Sequence, residues 1–194
     1  NGLRGDLMDE ELILKLKTAG AYYLTFAVET ASPRIQKMLK KNIDLLKMKR
    51  MIELTDRHRL LADGYFMLGF PSETLKEISQ TVDFALNSKL HTAAFFEVVP
   101  FPRTELYEIA EKSFPKIKQK IMEGNNPFSK WSYYREVTGI NLNQIQKRVW
   151  LKFYFNLRRL TRFFQLMPKK VFFDFILWRH FLIQLSWRVK DRLS

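Results

Sequence analysis

The sequence contains no cysteine. That excludes disulfides, thiolate zinc sites and cysteine nucleophiles, and it removes the usual protein ligands of an iron–sulfur cluster. Histidine is nearly as scarce. His58, His91 and His180 lie far apart with no HxH or HExxH spacing, so each reads as a surface or packing residue rather than part of a metal set. No unbroken apolar run reaches membrane-spanning length, and the first residues lack the basic cluster and apolar core of a secretory signal. The default compartment is then the cytoplasm. The chain does not start with methionine, and we read it as a segment of a longer protein.

What is present is a chain of 194 residues, 46% of them apolar, enough for one sizeable domain plus an extension. Its formal net charge of +13 is unevenly placed. Residues 141–194 hold 12 Lys and Arg against 2 Asp and Glu, and 12 of the 28 aromatic residues. Such asymmetry implies two regions with different surroundings.

The first region alternates helix and strand patterns. Asp9 is placed to cap a helix through Leu12, Ile13 and Leu16, stopped at Gly20. The β-prone run from Tyr22 to Val28 suits a strand buried on both faces of a parallel sheet. Ser32 and Pro33 read as N-cap and first helical position, and Asp44 caps a longer helix through Met48, Ile52 and Leu60. A second strand spans Gly64 to Leu68, closed by Gly69-Phe70-Pro71. Ser72 or Thr74 begins a helix with Ile78, Val82 and Leu86 on one face. A third strand runs from Thr92 to Val99, stopped by Pro100 and Pro102, and Thr104 caps the helix after it. These are strand–helix units of the length βαβ crossovers need, and they predict an α/β layer, open or half-barrel.

A short helix is expected over Phe114 to Lys120. Gly124-Asn125-Asn126-Pro127 marks a connector. Beyond Gly139, Asn141 or Asn143 caps a long helix with Ile145, Val149, Phe153, Leu157, Leu160, Phe164 and Met167 on one stripe. Lys147, Arg148, Lys152, Arg158, Arg159 and Arg162 lie off that stripe. After Pro168 a second helix carries Val171, Phe175, Trp178, Leu182, Leu185 and Val189.

Parallel α/β architectures place ligands at the C-terminal ends of their strands. Three places qualify: Glu29, the segment Gly69 to Thr74, and the segment Glu97 to Arg103. Each also has a plainer reading. Glu29 has the choice of bonding the next helix start or contacting a ligand. Gly69 suits a tight turn, Pro71, Pro100 and Pro102 end strands, and Glu73 suits a capping charge.

Taken in order, four segments resemble the radical-SAM superfamily from Asn1 to about Lys112. Asn1-Gly2-Leu3-Arg4 with Asp6 resembles the end of that barrel's third strand. Ala19-Gly20 followed by Leu24 to Thr30 resembles the fourth strand and its GVES ending. Phe66 to Thr74 resembles the fifth strand and its GFPGET turn, and Phe95-Phe96 through Pro100-Phe101-Pro102-Arg103-Thr104-Glu105-Leu106-Tyr107 resembles the sixth strand and PFPGTxLY. The resemblance is nearest to the branch with a cobalamin-binding domain ahead of the barrel, which includes the anaerobic magnesium-protoporphyrin ester cyclase and whose members often end in a basic, aromatic helical tail.

The resemblance implies the second half of a (β/α)6 partial barrel over residues 1–123, a connector over 124–140, and a helical extension over 141–194. It implies S-adenosylmethionine and a [4Fe–4S] cluster in the full-length protein. The cluster would be held by a CxxxCxxC loop in an N-terminal half that this chain lacks, and cobalamin would come from an upstream domain. In such enzymes the reduced cluster converts S-adenosylmethionine to a 5′-deoxyadenosyl radical. Glu29 would contact the amino or ribose end of S-adenosylmethionine, Gly69, Phe70 and Pro71 would bring backbone to it, and Val98, Val99 and Pro100 would flank the adenine. The expected activity is of methyltransferase or cyclase type on a small-molecule substrate, absent from the isolated segment. Arg103 stands where the motif has glycine, so it would alter the turn or place a cation beside an anionic substrate.

The basic tail has three readings. Its stripes pack on the barrel or on another domain, which is the first expectation. Alternatively, the chain is a non-catalytic module whose basic helices dock on an anionic membrane surface, peripherally at the inner face, or on a partner protein. Nucleic acid stands last, because charge alone would steer it and no RRM, KH or zinc motif supports sequence readout.

Overall fold

The computed structural model describes residues 2–123 and 132–169. The expected second tail helix, from Val171 to Val189, lies outside the described residues.

The caps read from the sequence begin the observed helices. Asp9 accepts from the amide of Leu12 and opens α1 (Glu10–Thr18). Ser32 caps α2 (Pro33–Met38), with Pro33 in the first turn, and Asp44 caps α3 (Leu45–Arg57). Thr74 and Glu77 form a reciprocal capping box at the start of α4 (Leu75–Leu86), and Thr104 caps α5 (Glu105–Ser113). A short helix, α6, covers Ile117–Glu123.

Between them run three strands, β1 (Tyr23–Glu29), β2 (Leu61–Leu68) and β3 (Thr92–Glu97). They form one parallel sheet in the order β1-β2-β3. Beside β1 the chain start contributes a single parallel bridge. The Leu3 amide donates to the Thr25 carbonyl at 2.7 Å and the Ala27 amide to the Leu3 carbonyl at 3.0 Å. The fold is α/β, as the alternating pattern predicts.

The sheet is not buried on both faces. Leu24, Phe26 and Val28 of β1, with Ala62, Phe66 and Leu68 of β2, are buried. The first five of these pack with Met48, Ile52 and Phe153 in the main core. On the other face Thr25, Ala27, Tyr65 and Met67 are half-buried and Tyr23 and Phe96 are exposed, while Leu61 and Asp63 at the start of β2 are buried. A parallel sheet ordinarily has both faces covered. The expectation of a doubly buried strand at Tyr22 to Val28 is therefore corrected: among the described residues the second face of β1 is exposed at Tyr23 and only half-buried at Thr25 and Ala27.

The segment expected as connector includes a helix, α7 (Tyr133–Thr138), closed by Gly139 in the left-handed conformation. Its Tyr133 and Tyr134 are both buried. Next, the single long helix expected up to Met167 is broken in two. Asn141 caps α8 (Leu142–Tyr154), and Asn156 caps α9 (Leu157–Leu166), with the chain turning at Phe155. Asparagine favours an N-cap over a helix interior, because its side chain satisfies the free amides of the next turn. The shared stripe ends at that break: Val149 and Phe153 are buried, whereas Leu157 is exposed.

The first of these two helices is bound to the sheet by polar groups. Tyr154 Oη accepts from the Ala93 amide at 3.2 Å and donates to the Ala93 carbonyl at 3.1 Å. Gln146 Nε2 donates to the Phe95 carbonyl at 3.0 Å. Side chains of α8 thus satisfy the outer edge of β3, which would otherwise be a template for strand addition.

Two arginines expected on the surface are instead structural. Arg159 is 9% exposed. Its guanidinium donates to the carbonyls of Leu90 at 2.8 Å, Phe153 at 2.8 Å, Leu86 at 3.0 Å and Ser88 at 3.4 Å, and lies 3.8 Å over the Phe153 ring. Arg162 binds Asp56 Oδ1 at 2.6 Å and the Asp56 carbonyl at 2.8 Å. Leu86 ends α4 and Asp56 lies in the last turn of α3, so both cations sit at the negative ends of helices. Asp56 Oδ1 also accepts from His91 Nε2 at 3.1 Å, while His91 Nδ1 accepts from the Ala62 amide at 2.9 Å. That arrangement requires a neutral ring protonated on Nε2.

Removing Arg159 leaves four carbonyls near the core without their donor. Arg159→Ala is expected to lower unfolding free energy by about 3 kcal/mol in urea titrations, with partial recovery in Arg159→Lys. Burial holds the His91 pKa below the ordinary value of 6.5. The unfolded chain therefore takes up the proton first as pH falls, and the native state loses stability below about pH 6.5. Denaturant midpoints measured from pH 7.5 to pH 5 should fall less in His91→Gln, which offers an acceptor and a donor but no titration.

Candidate functional site

The three strand ends and the partly open sheet face lie together. At the end of β1 the register slips at Val28, so that Ala27 pairs with Tyr65 but Glu29 with Phe66. Glu29 has φ 61°, in the left-handed region that costs a non-glycine residue about 1–2 kcal/mol. Its carboxylate pairs with the ammonium of Lys41. Gln36 fixes the following turn, since its buried Nε2 donates to the Val28 and Thr30 carbonyls.

At the end of β2, Glu73 governs the turn. It is 3% exposed, and its Oε2 accepts from the amides of Gly69 at 2.6 Å and Phe70 at 3.1 Å. Its Oε1 has no hydrogen-bond partner among the described residues. Burial pushes the carboxyl up to about 7, against the opposing pull of the two amides. Tyr134 Oη donates to the Glu73 carbonyl at 2.8 Å. The helix-capping role considered for Glu73 belongs to Glu77. Glu77 also takes a bidentate pair from Arg34, both distances 2.8 Å, and a bond from Ser32 Oγ at 2.8 Å. The Arg34 guanidinium above all, helped by the Thr74 and Ser32 donors, holds the Glu77 carboxyl far below the usual carboxylate range. Arg34 Nη2 further donates to the Ser72 carbonyl at 2.7 Å. The ion pair therefore ties the start of α2 to the start of α4, and the Ser72 bond adds the loop after β2.

These contacts change the reading of the glycine. Gly69 has φ +87°, and a Cβ there would stand 2.5 Å from Leu142 Cδ1 and 3.1 Å from Tyr134 Cβ. The close approach at Gly69 is made by α7 and α8, and its amide is engaged by Glu73. Phe70 and Val98 are buried with Ile35 in a small cluster, and Pro71 and Pro100 are buried as well. Val99 is half-buried. At the end of β3, Glu97 accepts from Ser132 Oγ, and burial raises its pKa. Arg103 is exposed and has φ 69°, the conformation glycine would take without strain. Glu29, Ser72 and Arg103 thus put one left-handed non-glycine residue in each strand-end turn, although Lys40, Asn42 and Arg59 share that conformation elsewhere.

The sequence reading missed the open sheet face. The register sets Asp63 beside Thr92, Tyr65 beside Ala94, and Met67 beside Phe96. Tyr65 and Phe96 meet edge to face with centroids 5.6 Å apart. Asp63 is buried and accepts from Thr92 Oγ1 at 2.6 Å. Burial and the Asp63 carboxylate keep the Tyr23 phenol protonated throughout the physiological range. The signal was present as an acidic residue inside an otherwise apolar strand pattern. Among the described residues no group of three His, Asp or Glu is placed to hold a metal ion, and no helix is long and apolar enough to cross a membrane.

This arrangement accompanies a consistent set of similarities. The chain is 26% identical over 153 residues, 78% of its length, to an uncharacterized methyltransferase of Pyrococcus horikoshii. It is 30% identical over 106 residues, 51% of its length, to the cytidylyl-2-hydroxyethylphosphonate methyltransferase of Streptomyces wedmorensis. It is 24% identical over 102 residues, 53% of its length, to the anaerobic magnesium-protoporphyrin IX monomethyl ester cyclase of Rubrivivax gelatinosus. The aligned regions amount to 33%, 20% and 18% of those relatives, so the chain spans a third or less of the length of these curated proteins. No family model matches the chain. The similarity is to methyltransferases and a cyclase, at low identity.

Because native Glu73 keeps its proton to about pH 7 while the unfolded carboxyl loses it near 4.5, stability attributable to this group falls as pH rises between those values. Glu73→Gln removes that titration. Chemical denaturation of both proteins from pH 4.5 to 8 should show the wild type losing ground to the variant by about 2–3 kcal/mol across the window.

Proposed function

We propose that this chain is the C-terminal part of a radical-SAM enzyme of methyltransferase or cyclase type. In this reading it supplies strand ends to S-adenosylmethionine and an aromatic sheet face to a small-molecule substrate. The observation that carries the reading is a three-stranded parallel sheet with one face partly open, whose strand ends bear Glu29, the Gly69–Glu73 turn and the Glu97–Arg103 segment in sequence order. Similarity to methyltransferases and a cyclase supports the same class.

An iron–sulfur cluster does not fit this chain, which has no cysteine to ligate it; its ligands would come from an N-terminal half. Cobalamin would likewise require a separate upstream domain. S-adenosylmethionine fits better. Glu29 already holds an ammonium, that of Lys41, at a strand end where its carboxylate is half-buried, so the α-ammonium of the cofactor has the same chemistry to offer. Val99 and the backbone beside Pro100 would flank the adenine, while Val98, buried against Ile35 and Phe70, would support them from beneath. Gly69 and Phe70 would act through the shape of their turn, since Glu73 engages their amides. Bound S-adenosylmethionine would supply the radical or methyl chemistry. The chain's part is to orient it: Arg34 and Glu77 lock the starts of α2 and α4 together, and Tyr65, Met67 and Phe96 offer an apolar wall that a bound substrate would cover, excluding water there. Arg103, exposed at the rim, would meet an anionic group of the substrate.

Two measurements test this. Reconstitution of the chain with iron and sulfide should leave no stable, stoichiometric cluster absorption, and such a cluster would overturn the assignment of the cluster to another segment. Saturation-transfer NMR should detect S-adenosylmethionine on the chain, with affinity reduced about tenfold or more in Glu29→Gln, the loss of one charge-assisted bond. The variant should spare 5′-methylthioadenosine, which lacks the ammonium. No transfer from either ligand, or equal loss of both, would overturn the role given to Glu29.

A further inference from the structure

From Val137 to Lys169 the sequence has no Asp or Glu. Two of the six basic side chains expected to make a surface are used inside the fold, since Arg159 binds four carbonyls and Arg162 binds Asp56. The other four, Lys147, Arg148, Lys152 and Arg158, are exposed. Among the described residues none of the four pairs with a carboxylate. Lys147, Arg148, Leu151, Lys152 and Phe155 recur at helical spacing along the outer side of α8.

Where α8 ends and α9 begins, the break at Asn156 turns two large apolar side chains outward. Phe155 is 79% exposed and Leu157 is 81% exposed, and Leu151 one turn earlier is 39% exposed. Lys152 and Arg158 flank them in sequence. An unbroken helix would have carried Leu157 on the same stripe as Val149 and Phe153, which are buried. The break therefore brings to the surface a leucine that the periodicity assigns to the interior.

We propose that the elbow between α8 and α9 is a docking surface for an anionic lipid bilayer, with Phe155 and Leu157 entering the acyl boundary and Lys147, Arg148, Lys152 and Arg158 meeting the headgroups. Three features favour a bilayer over a protein partner. The apolar tips project from a turn between helices, so a protein would need a matching cavity, whereas a fluid bilayer needs none. The cations surround the tips with no acidic residue among them, as an anionic headgroup layer requires. The charges are lysine and arginine on long stems that reach headgroups while their apolar neighbours insert. This surface lies on the helices that seal β3, away from the strand-end loops, so it stands or falls independently of the radical-SAM reading.

The test uses the 194-residue chain and sedimentation with vesicles of phosphatidylcholine alone or with 30% phosphatidylglycerol. Binding is expected to the anionic vesicles, to weaken with added salt, and to be far weaker on phosphatidylcholine. Phe155→Ser with Leu157→Ser should reduce partitioning by about tenfold or more. Lys152→Glu with Arg158→Glu should do the same, at about 1 kcal/mol per cation removed and more for reversal. Leu7→Ser, at a 73%-exposed leucine near the start of the chain, should change nothing. All of these sites are exposed, so circular dichroism should report the same fold in each variant. Because the chain has no native cysteine, Phe155→Cys and Leu157→Cys give single sites for a nitroxide. Their spectra should broaden, and accessibility should shift from aqueous nickel to oxygen, only with anionic vesicles. Equal binding by the elbow variants, binding indifferent to lipid charge, or a nitroxide already immobilised without vesicles would overturn the proposal, the last pointing to a protein surface as the occupant.

Discussion

The guanidinium of Arg159 sits where the end of α4, the turn leading into β3 and the end of α8 all present carbonyl oxygens. Those oxygens are orphans of helix and strand termination, and each carries the partial negative charge that accumulates at such ends. One planar cation answers four of them and stacks on the Phe153 ring, whose side chain belongs to the main core. Arg162 repeats the device one turn later at the end of α3. Two of the six basic residues of α8 and α9 thus act inside the fold.

That anchorage organises the edges of the sheet. With α9 held against the ends of α3 and α4, α8 lies along β3 and its Tyr154 and Gln146 satisfy the outer strand. The opposite edge, at β1, is paired only through Leu3 among the described residues. An asymmetric sheet results, closed on one side and open on the other, with one face packed and one partly open. The open part of that face carries Tyr65 and Phe96, Asp63 lies buried at its start, and the strand ends around it carry several carboxylates. Glu73 and Glu77 divide the labour there. Glu77 is ionised and joins the start of α4 to the start of α2 through Arg34, whereas Glu73 is buried and shapes one turn through two amides. Their pKa values move in opposite directions for that reason: a guanidinium favours the charge on one, and desolvation opposes it on the other.

The local reading of the sequence was most reliable where one residue decides one hydrogen bond. Asp9, Ser32, Asp44, Thr74, Thr104 and Asn141 are caps because a short oxygen-bearing side chain reaches the free amides of the next turn. The apolar runs located the three strands, with β2 starting three residues earlier than expected and β3 ending two residues sooner. The strand-end candidates Glu29, Glu97 and Arg103 do lie at strand ends or in the turns after them. What Gly69 and Phe70 do there was not legible, because it depends on Glu73 four residues away folding back and on Tyr134 and Leu142 arriving from a distant helix.

The sequence by itself determined the alternating elements, their caps, the absence of thiolate chemistry in this chain and the basic bias of its end, because each follows from side-chain chemistry or from periodicity over one or two turns. Tertiary structure alone decided which basic residues face water. Arg158 and Arg159 are neighbours of the same type, yet one is exposed and the other buried among carbonyls whose residues lie up to 73 positions away. It also decided that one sheet face stays partly open and that the helix expected from Asn141 to Met167 breaks at Asn156. Burial and long-range hydrogen bonds are properties of surfaces brought together, and no window of the sequence contains both partners.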